Sequence, residues 1–408
     1  MTYLVSKTFI GKNHACYEAL DSYCFLAKNL YNATLYRHRQ DYKDGKKKIG
    51  WMALAKEFAA DNNPDYRALP AKVAQLILKS VDDDYSTFYG KREAGEKARP
   101  PRYKHKIEGR YKLVFNTQAI FASELKKGFI KLSTPKSITK SLKFKLPKGV
   151  NTAFIKEITV TPHDDGYMLN VAYEIPEVES KTGNRTCALD LGLTNLAAAA
   201  SNTEMKPFLI SGGTIKSINH YWNRKLSKLK SKLSTSSDEG EKKALKAAIN
   251  KLNRKRNFKI NDFLHRASSK LVHHLDANNI DNIVVGYNPG WKKGINLGRR
   301  NNQNFSYVPH KRFIDLITYK AALKGMNVTT HEESYTSKCS FLDNEFVGKH
   351  EVYKGRRVKR GLFVSSAGAE INADINAAYN ILRKSVGMFN YCPIQVCSYP
   401  STLAIDFN

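Results

Sequence analysis

Apolar residues follow two different periods in the first 180 positions of the chain. Residues 3–10 have the composition of a strand, whereas the apolar residues of 26–35 and 73–88 recur at three- and four-residue spacing. Such spacing places apolar side chains on one face of a helix, so it predicts helices in both segments. A polar, lysine-rich connection separates them. We therefore expect residues 13–104 to form a helical segment.

The pattern changes to short strands after Pro100 and Pro101. Apolar and polar residues alternate in several short runs, and two of these runs flank the Asp-Asp-Gly sequence at 164–166. That arrangement predicts a β-hairpin. The simplest account of these strands is a β-barrel built from residues 1–12 and 105–180, which the helical segment interrupts.

Residues 183–386 show a different order of elements. Three consecutive strands are followed by long helices, a strand, a helix, a further strand and a final helix. This order is typical of an RNase H-like α/β fold. A polar break at 234–240 divides the long helices and predicts an inserted helical hairpin with basic outer faces. Residues 387–408 have little charge and are expected to form a C-terminal tail.

The charge of the chain indicates a polyanionic partner. It has 67 Lys and Arg against 37 Asp and Glu, which gives a net charge of +30 and a pI near 9.7. Nucleic acid is the expected partner. A membrane is not expected, because the sequence has no apolar run of about 18 residues and no signal peptide. Six scattered cysteines suggest no disulfide framework, so we expect a soluble, cytoplasmic protein.

Two aspartates have the setting of metal ligands. Asp190 ends a buried strand just before a glycine-containing bend, and Asp374 falls in the first turn of a helix rich in small residues. Taken singly, each is more simply explained as a strand-end or helix-capping residue. As a pair they suit Mg²⁺ in a nuclease of the RNase H type.

These segments resemble the TnpB family, the RuvC-type RNA-guided endonucleases of insertion sequences. The resemblance rests on the motifs ALDLGLTNLA, GYNPGWKK, ESYTSKCS, KRGLF and NADINAAYNIL as they stand in this chain. It implies a RuvC-like nuclease domain, preceded by a wedge β-barrel with an inserted helical recognition lobe. It also implies a guide RNA, a target DNA, and Mg²⁺ or Mn²⁺ as the cofactor.

The third carboxylate of the site departs from the family pattern. TnpB proteins usually have a glutamate at the end of the strand that here reads Ile-Val-Val-Gly, so that position is Gly286. The next strand of the fold ends in Glu332 and Glu333, and neighbouring parallel strands lie about 5 Å apart. We expect Glu333, or alternatively Glu332, to replace the missing ligand, although either could simply face solvent.

The family's zinc-binding cysteine pairs are also missing. Cys339 supplies one thiol and the returning arm around Ser365 supplies none, whereas structural zinc needs four N or S ligands. The sequence predicts a zinc-free target-binding hairpin at about 335–370. We expect it to be held by apolar packing of Phe341, Leu342, Leu362 and Phe363.

Several basic and aromatic residues are candidates for contact with nucleic acid. In the hairpin they are Arg356, Arg357 and Arg360, for which a solvated surface is the competing explanation. Outside it they are Arg99, Arg102 and Lys104 in a stiff basic segment, and Trp291, Lys292 and Lys293 in a loop. A tryptophan in a loop is more often packed against protein than stacked on a base.

The expected function is RNA-guided DNA cleavage by two-metal-ion hydrolysis, with Asp190, Glu333 and Asp374 as the catalytic ligands. The main alternative is a nuclease-dead, RNA-guided repressor, which would differ only in the third ligand. A transposase would also use an RNase H site. No separate DNA-binding domain is predicted that would favour a transposase.

Overall fold

The computed structural model describes residues 2–46, 48–163, 165–288, 308–389 and 397–405. The chain divides into two compact units, Met1–Glu177 and Val178–Asn408. Among the residues so described, no helix combines the length and apolarity needed to cross a membrane.

The strands of the first unit form two sheets. Four of them pair antiparallel in the order β1-β6-β5-β2, and β3 pairs with β4. The strands are β1 (Thr2–Gly11), β2 (Leu113–Asn116), β3 (Phe129–Leu132), β4 (Leu142–Lys145), β5 (Ile155–His163) and β6 (Gly166–Ile175). The predicted hairpin is confirmed, because β5 and β6 pair from Ile155↔Tyr173 to His163↔Gly166. Closure of these strands into a wedge barrel stays a prediction.

Helices occupy the chain between β1 and β2. They are α1 (Tyr17–Lys43), α2 (Trp51–Ala60), α3 (Pro64–Arg67) and α4 (Ala71–Glu93), and a short α5 (Ala122–Lys126) follows β2. The apolar faces predicted from the helical periodicity are buried, since Leu30 of α1 and Ile77 of α4 are fully buried in one apolar core. The assignment of this segment as a recognition lobe stays a prediction.

The second unit contains a six-stranded mixed sheet in the order β11-β10-β7-β8-β9-β15. Its strands are β7 (Thr186–Asp190), β8 (Asn195–Ser201), β9 (Phe208–Ser211), β10 (Asn282–Gly286), β11 (Asn327–His331) and β15 (Ser401–Thr402). The order of β7 to β11 along the chain is as predicted from the sequence, whereas β15 lies in the segment 387–408, which was expected to be a tail, and pairs with β9 as an edge strand. Because β7, β10 and β11 are parallel neighbours, their carboxyl ends lie on one edge of the sheet.

Helices cover both faces of this sheet. They are α6 (Gly213–Thr235), α7 (Glu239–Ala277), α8 (His310–Ala322) and α9 (Ala373–Val386), and α6 and α7 form the predicted hairpin. Residues of β7 alternate between the faces: Leu189 packs in the core that contains α7 and α8, whereas Ala188 packs against α9. The small residue on the α9 side lets that helix approach the sheet closely. The helix therefore carries Asp374 near the end of β7.

A small three-stranded sheet precedes α9. It consists of β12 (Arg356–Lys359), β13 (Leu362–Val364) and β14 (Glu370–Ile371), and β14 is followed directly by α9. Phe341 and Phe363 are buried in the core beneath α9, and Phe341 stacks on Tyr379 with ring centroids 4.4 Å apart. Leu342 and Leu362 are only partly buried. The predicted apolar packing of the hairpin is thus confirmed mainly for its phenylalanines.

Candidate active site

Asp190 lies at the end of the central strand β7, where the chain turns sharply. A side chain at Gly192 would begin 2.8 Å from the carbonyl oxygen of Asn195, so the bend requires glycine. The carbonyl of Gly192 lies 3.1 Å from Nε2 of the buried His310. The bend is therefore held from two sides, and it fixes the end of β7 that carries Asp190.

Asp374 occupies the first turn of α9 but does not cap the helix. Asn372 takes that role, because its side chain accepts hydrogen bonds from the backbone N–H groups of Asp374 (3.0 Å) and Ile375 (3.3 Å). The carboxylate of Asp374 is thus available for other partners. It accepts from Nδ2 of Asn195 at 2.8 Å and from the guanidinium of Arg357 at 3.2 Å.

Glu333 reaches the space that Gly286 leaves open. Gly286 pairs with His331 across β10 and β11, so the chain segment that carries Glu333 starts beside it. A Cβ atom built at Gly286 would lie 3.1 Å from Oε2 of Glu333. The carboxylate of Glu333 therefore stands where a longer side chain at position 286 would begin.

Glu332 is engaged elsewhere. Its carboxylate pairs with Lys384 at 2.5 Å and accepts from the backbone N–H of Ser334 at 2.7 Å. These bonds, with the lysine contact as the larger cause, lower the pKa of Glu332 to about 2. By contrast, burial raises the pKa of Glu333, and the neighbouring Glu332 raises it further. The two adjacent glutamates, which the sequence left as alternatives, thus differ in the structure: Glu332 is paired with Lys384, whereas Glu333 is half-buried beside Gly286.

Asp190 interacts electrostatically with the carboxylates of Asp374 and Glu333. Burial raises the pKa of Asp190 to about 8, and Asp374 and Glu333 contribute to that rise, whereas Arg357 opposes it. Three carboxylates that disfavour each other's charge form a donor set suited to Mg²⁺ or Mn²⁺. Among the described residues, however, no group of three His, Cys, Asp or Glu side chains is close enough to hold a metal ion. A metal would have to draw these carboxylates together.

Asn195 and Arg357 both contact Asp374, and the sequence did not identify either contact. Asn195 belongs to the same motif as Asp190, at the start of β8, and it lies 179 positions from Asp374. Arg357 was expected to contact nucleic acid, not the candidate site. Only the position of Asn195 in a recognised motif could have suggested its role.

Asp343 joins the two arms of the predicted hairpin, which lacks the cysteine pairs of the family, and a second carboxylate, Glu345, makes hydrogen bonds within the first arm. Asp343 accepts hydrogen bonds from the backbone N–H of Ser366 (2.9 Å) and from its hydroxyl (2.5 Å). Glu345, which is buried, accepts from the backbone N–H groups of Ser340 (2.7 Å) and Lys354 (2.9 Å). Direct hydrogen bonds thus connect the arms of this segment.

Comparison with known proteins identifies two segments of the chain. Residues 170–292 match the OrfB_IS605 family, described as a probable transposase, and residues 310–381 match the Cas12f1-like TNB domain. The TnpB-like protein ORF457 of Acidianus two-tailed virus is 24% identical over 238 residues. That match covers 57% of this chain and 48% of the viral protein, so the chain spans about half the length of this relative.

The chain is similar to TnpB proteins over these segments. A solved structure agrees on the fold: the Cas12f1–sgRNA–target DNA complex matches at a TM-score of 0.52 and 15% identity, over 89% of this chain and 82% of that one. This similarity supports a RuvC-containing α/β fold for this chain. The matched segments contain Asp190 and Gly286 in the first, and Glu333 and Asp374 in the second.

A basic segment of the first unit has a fixed backbone and exposed side chains. Arg99, Arg102 and Lys104 are exposed. The carbonyl of Arg102 accepts from the Tyr31 hydroxyl at 3.2 Å, and Asn32 exchanges two hydrogen bonds with the backbone of Lys104, at 2.9 and 3.0 Å. Helix α1 thus holds the backbone while the cationic side chains remain accessible to a phosphate chain. Contact with nucleic acid stays a prediction.

The remaining candidate residues fall into two groups. Arg356, Arg357 and Arg360 are exposed on and beside β12, and Arg360 is close enough to lower the pKa of Lys216, for which burial is the larger cause. Lys216 in turn donates to the hydroxyl of Thr194 at 2.9 Å. Trp291, Lys292 and Lys293 lie outside the described residues.

We predict that the purified protein contains no stoichiometric zinc. Asp343→Ala should lower stability by about 1–2 kcal/mol, because two hydrogen bonds between the hairpin arms are lost. Glu351→Ala is the matched control, since Glu351 is an exposed acid of the same segment. Metal analysis and thermal unfolding test this, and one tightly held zinc per chain would contradict it.

Proposed function

We propose that this protein is a TnpB-type, RNA-guided DNA endonuclease of transposon origin. Its catalytic ligands are Asp190, Glu333 and Asp374, which bind Mg²⁺ or Mn²⁺. The observation that carries the proposal is the position of Glu333, whose Oε2 lies 3.1 Å from the Cβ position at Gly286. This supplies a carboxylate from the end of β11 where β10 has none.

Electrostatics favour a cation at this place. The pKa of Asp190 is raised by burial and by two further acids, so the ionised cluster is costly without a compensating positive charge. Glu332 does not serve as well as Glu333, because Lys384 already neutralises it. We therefore assign the third ligand to Glu333 alone.

Each residue has a distinct task in the proposed site. Bound divalent ions would supply an activated water and stabilise the leaving oxygen of the phosphodiester. Asp190 holds a fixed position at the end of the central strand, and Asn195 orients the carboxylate of Asp374 through its 2.8 Å hydrogen bond. The exposed cations Arg356 and Arg360 would hold the DNA backbone beside the carboxylates.

The first unit would hold the RNA. We assign residues 13–104 to a recognition lobe and residues 1–12 and 105–180 to a wedge domain, with the fixed basic segment at 99–106 against the RNA backbone. The guide would choose the target by base pairing, while the protein reads a short motif beside it. The Cas12f1 complex contains an sgRNA and a target DNA, which supports the same partners for this chain. With such partners, we expect the protein to act in the cytoplasm.

Sequencing the RNA that copurifies with the protein tests the guided part of the proposal. We expect one dominant RNA species with a constant portion and a variable end. Adding a DNA target complementary to that end, with Mg²⁺ or Mn²⁺, should give cleavage. Stable guided binding without cleavage would support the nuclease-dead repressor instead. Absence of any specific RNA would contradict both functions.

A further inference from the structure

Arg357 links the hairpin to the candidate metal site. Its guanidinium donates to Oδ1 of Asp374 at 3.2 Å, while Oδ2 of the same carboxylate accepts from Asn195. Both oxygens of Asp374 are thus engaged. Asn195 is neutral and can remain bonded beside a metal, whereas Arg357 carries a full positive charge.

A guanidinium at this distance from Asp374 weakens the binding of a divalent cation to the same carboxylate. Both are attracted to the same carboxylate, and two cations close together repel each other by Coulomb's law. The ion pair at 3.2 Å already places one positive charge beside the carboxylate of Asp374. Arg357 therefore supplies part of the positive charge that a metal would bring.

The position of Arg357 depends on an exposed strand. All four residues of β12 are exposed at the edge of its sheet, and its pairing with β13 shifts register between Arg357 and Lys359. The side chain of Arg357 itself is 41% exposed, so it can exchange one anion for another. A phosphodiester is such an anion, and arginine binds carboxylate and phosphate with the same planar donors.

We propose that Arg357 is an autoinhibitory residue that occupies Asp374 in the free protein and releases it when the hairpin binds a phosphate backbone. This rests on the proposed metal-binding role of Asp374. In the free protein, Arg357 weakens metal binding. With nucleic acid bound, the guanidinium pairs with phosphate, and the site then takes up its metal fully.

Titration of the nucleic-acid-free protein with Mn²⁺, followed by electron paramagnetic resonance, tests this without relying on cleavage. Arg357→Gln should bind Mn²⁺ roughly three- to tenfold more tightly than wild type, because one competing charge is removed. Arg357→Lys keeps the charge and should stay close to wild type. Lys349→Gln is the matched control, since Lys349 is an exposed cation of the same segment with no role in the proposed site.

A second titration adds a DNA duplex that the hairpin can bind. The duplex should tighten Mn²⁺ binding to wild type and should have little further effect on Arg357→Gln. If Arg357→Gln binds Mn²⁺ no more tightly than wild type, while Asp374→Asn loses the site, the autoinhibitory role is wrong and the metal site stands. If Asp374→Asn binds Mn²⁺ like wild type, the proposed metal site itself fails. Melting temperatures of all variants show whether each has folded.

Discussion

Replacing Asp190 or Asp374 by alanine should reduce guided DNA cleavage by about a thousandfold or more. Each change removes a proposed metal ligand, and the metals contribute several kcal/mol to stabilising the transition state. Target binding should survive, because neither residue belongs to the basic surfaces assigned to RNA and DNA. Chelation of divalent metal should have the same effect as the mutations. Cleavage rates and binding affinities for one guided target measure both expectations.

The two aspartates need different structural controls. Asp190→Asn keeps the shape of a side chain whose charge is disfavoured by burial and by two other acids, so it should not lower the melting temperature. Asp374→Ala leaves Asn195 and Arg357 without their shared acceptor, and Asp374→Asn separates that loss from the loss of charge. Near-wild-type cleavage by either alanine variant would exclude the site as proposed.

The sequence predicted the strands that carry the candidate site well, because their neighbours follow from the order of the elements along the chain. Three consecutive strands followed by two strand–helix repeats predicted that β10 and β11 lie side by side, and their parallel pairing confirms it. Because these strands are neighbours, the sequence also predicted that a glutamate after β11 lies near the space beside Gly286. The sequence did not distinguish Glu332 from Glu333, because the contact that separates them joins Glu332 to Lys384, which lies 52 positions away.

Contacts between distant side chains account for most of what the sequence did not predict. The bonds of Asp374 to Asn195 and Arg357, and of Asp343 to Ser366, join residues from separate segments and follow no periodic pattern. Asn372 could have been recognised as the cap of α9, since asparagine before a helix is a common signal. With Asn372 as the cap, the sequence alone would have excluded a capping role for Asp374 and favoured a role in the site.

The hairpin shows how a segment without cysteine pairs can keep its arms together. In a zinc-bound knuckle, thiolates from both arms meet at the metal. Here Asp343 binds the other arm directly through Ser366, whereas the thiol of Cys339 lies 3.5 Å from the carbonyl oxygen of Gly348 in its own arm. β12 stays exposed beside this arrangement, and its arginines are accessible to solvent.

Glu333→Gln should stop DNA cutting, with a loss of about a hundredfold or more in rate, while folding stability and target affinity change little. The amide keeps the shape of the side chain and loses the charge that binds the metal. Glu332→Gln is the matched control and should have a much smaller effect, because Glu332 pairs with Lys384 outside the site. Cleavage rates of the two variants on the same guided target decide between the glutamates.

Restoring a carboxylate at position 286 provides the complementary test. In Gly286→Glu with Glu333→Gln, the new Cβ would lie 2.5 Å from Cδ1 of Ile381, so that side chain must move. Ile381→Val removes this atom at a cost of about 1 kcal/mol, and the triple variant should therefore recover more cleavage than the double variant. Gly286→Ala with Ile381→Val and Glu333→Gln fills the same space without a charge and should stay inactive. Two results together would contradict the nuclease: the wild type binds guided targets in Mg²⁺ or Mn²⁺ without cutting them, and neither Glu332→Gln nor Glu333→Gln changes this. Gly286 would then mark a lost metal ligand without a replacement, and the protein would be an RNA-guided repressor.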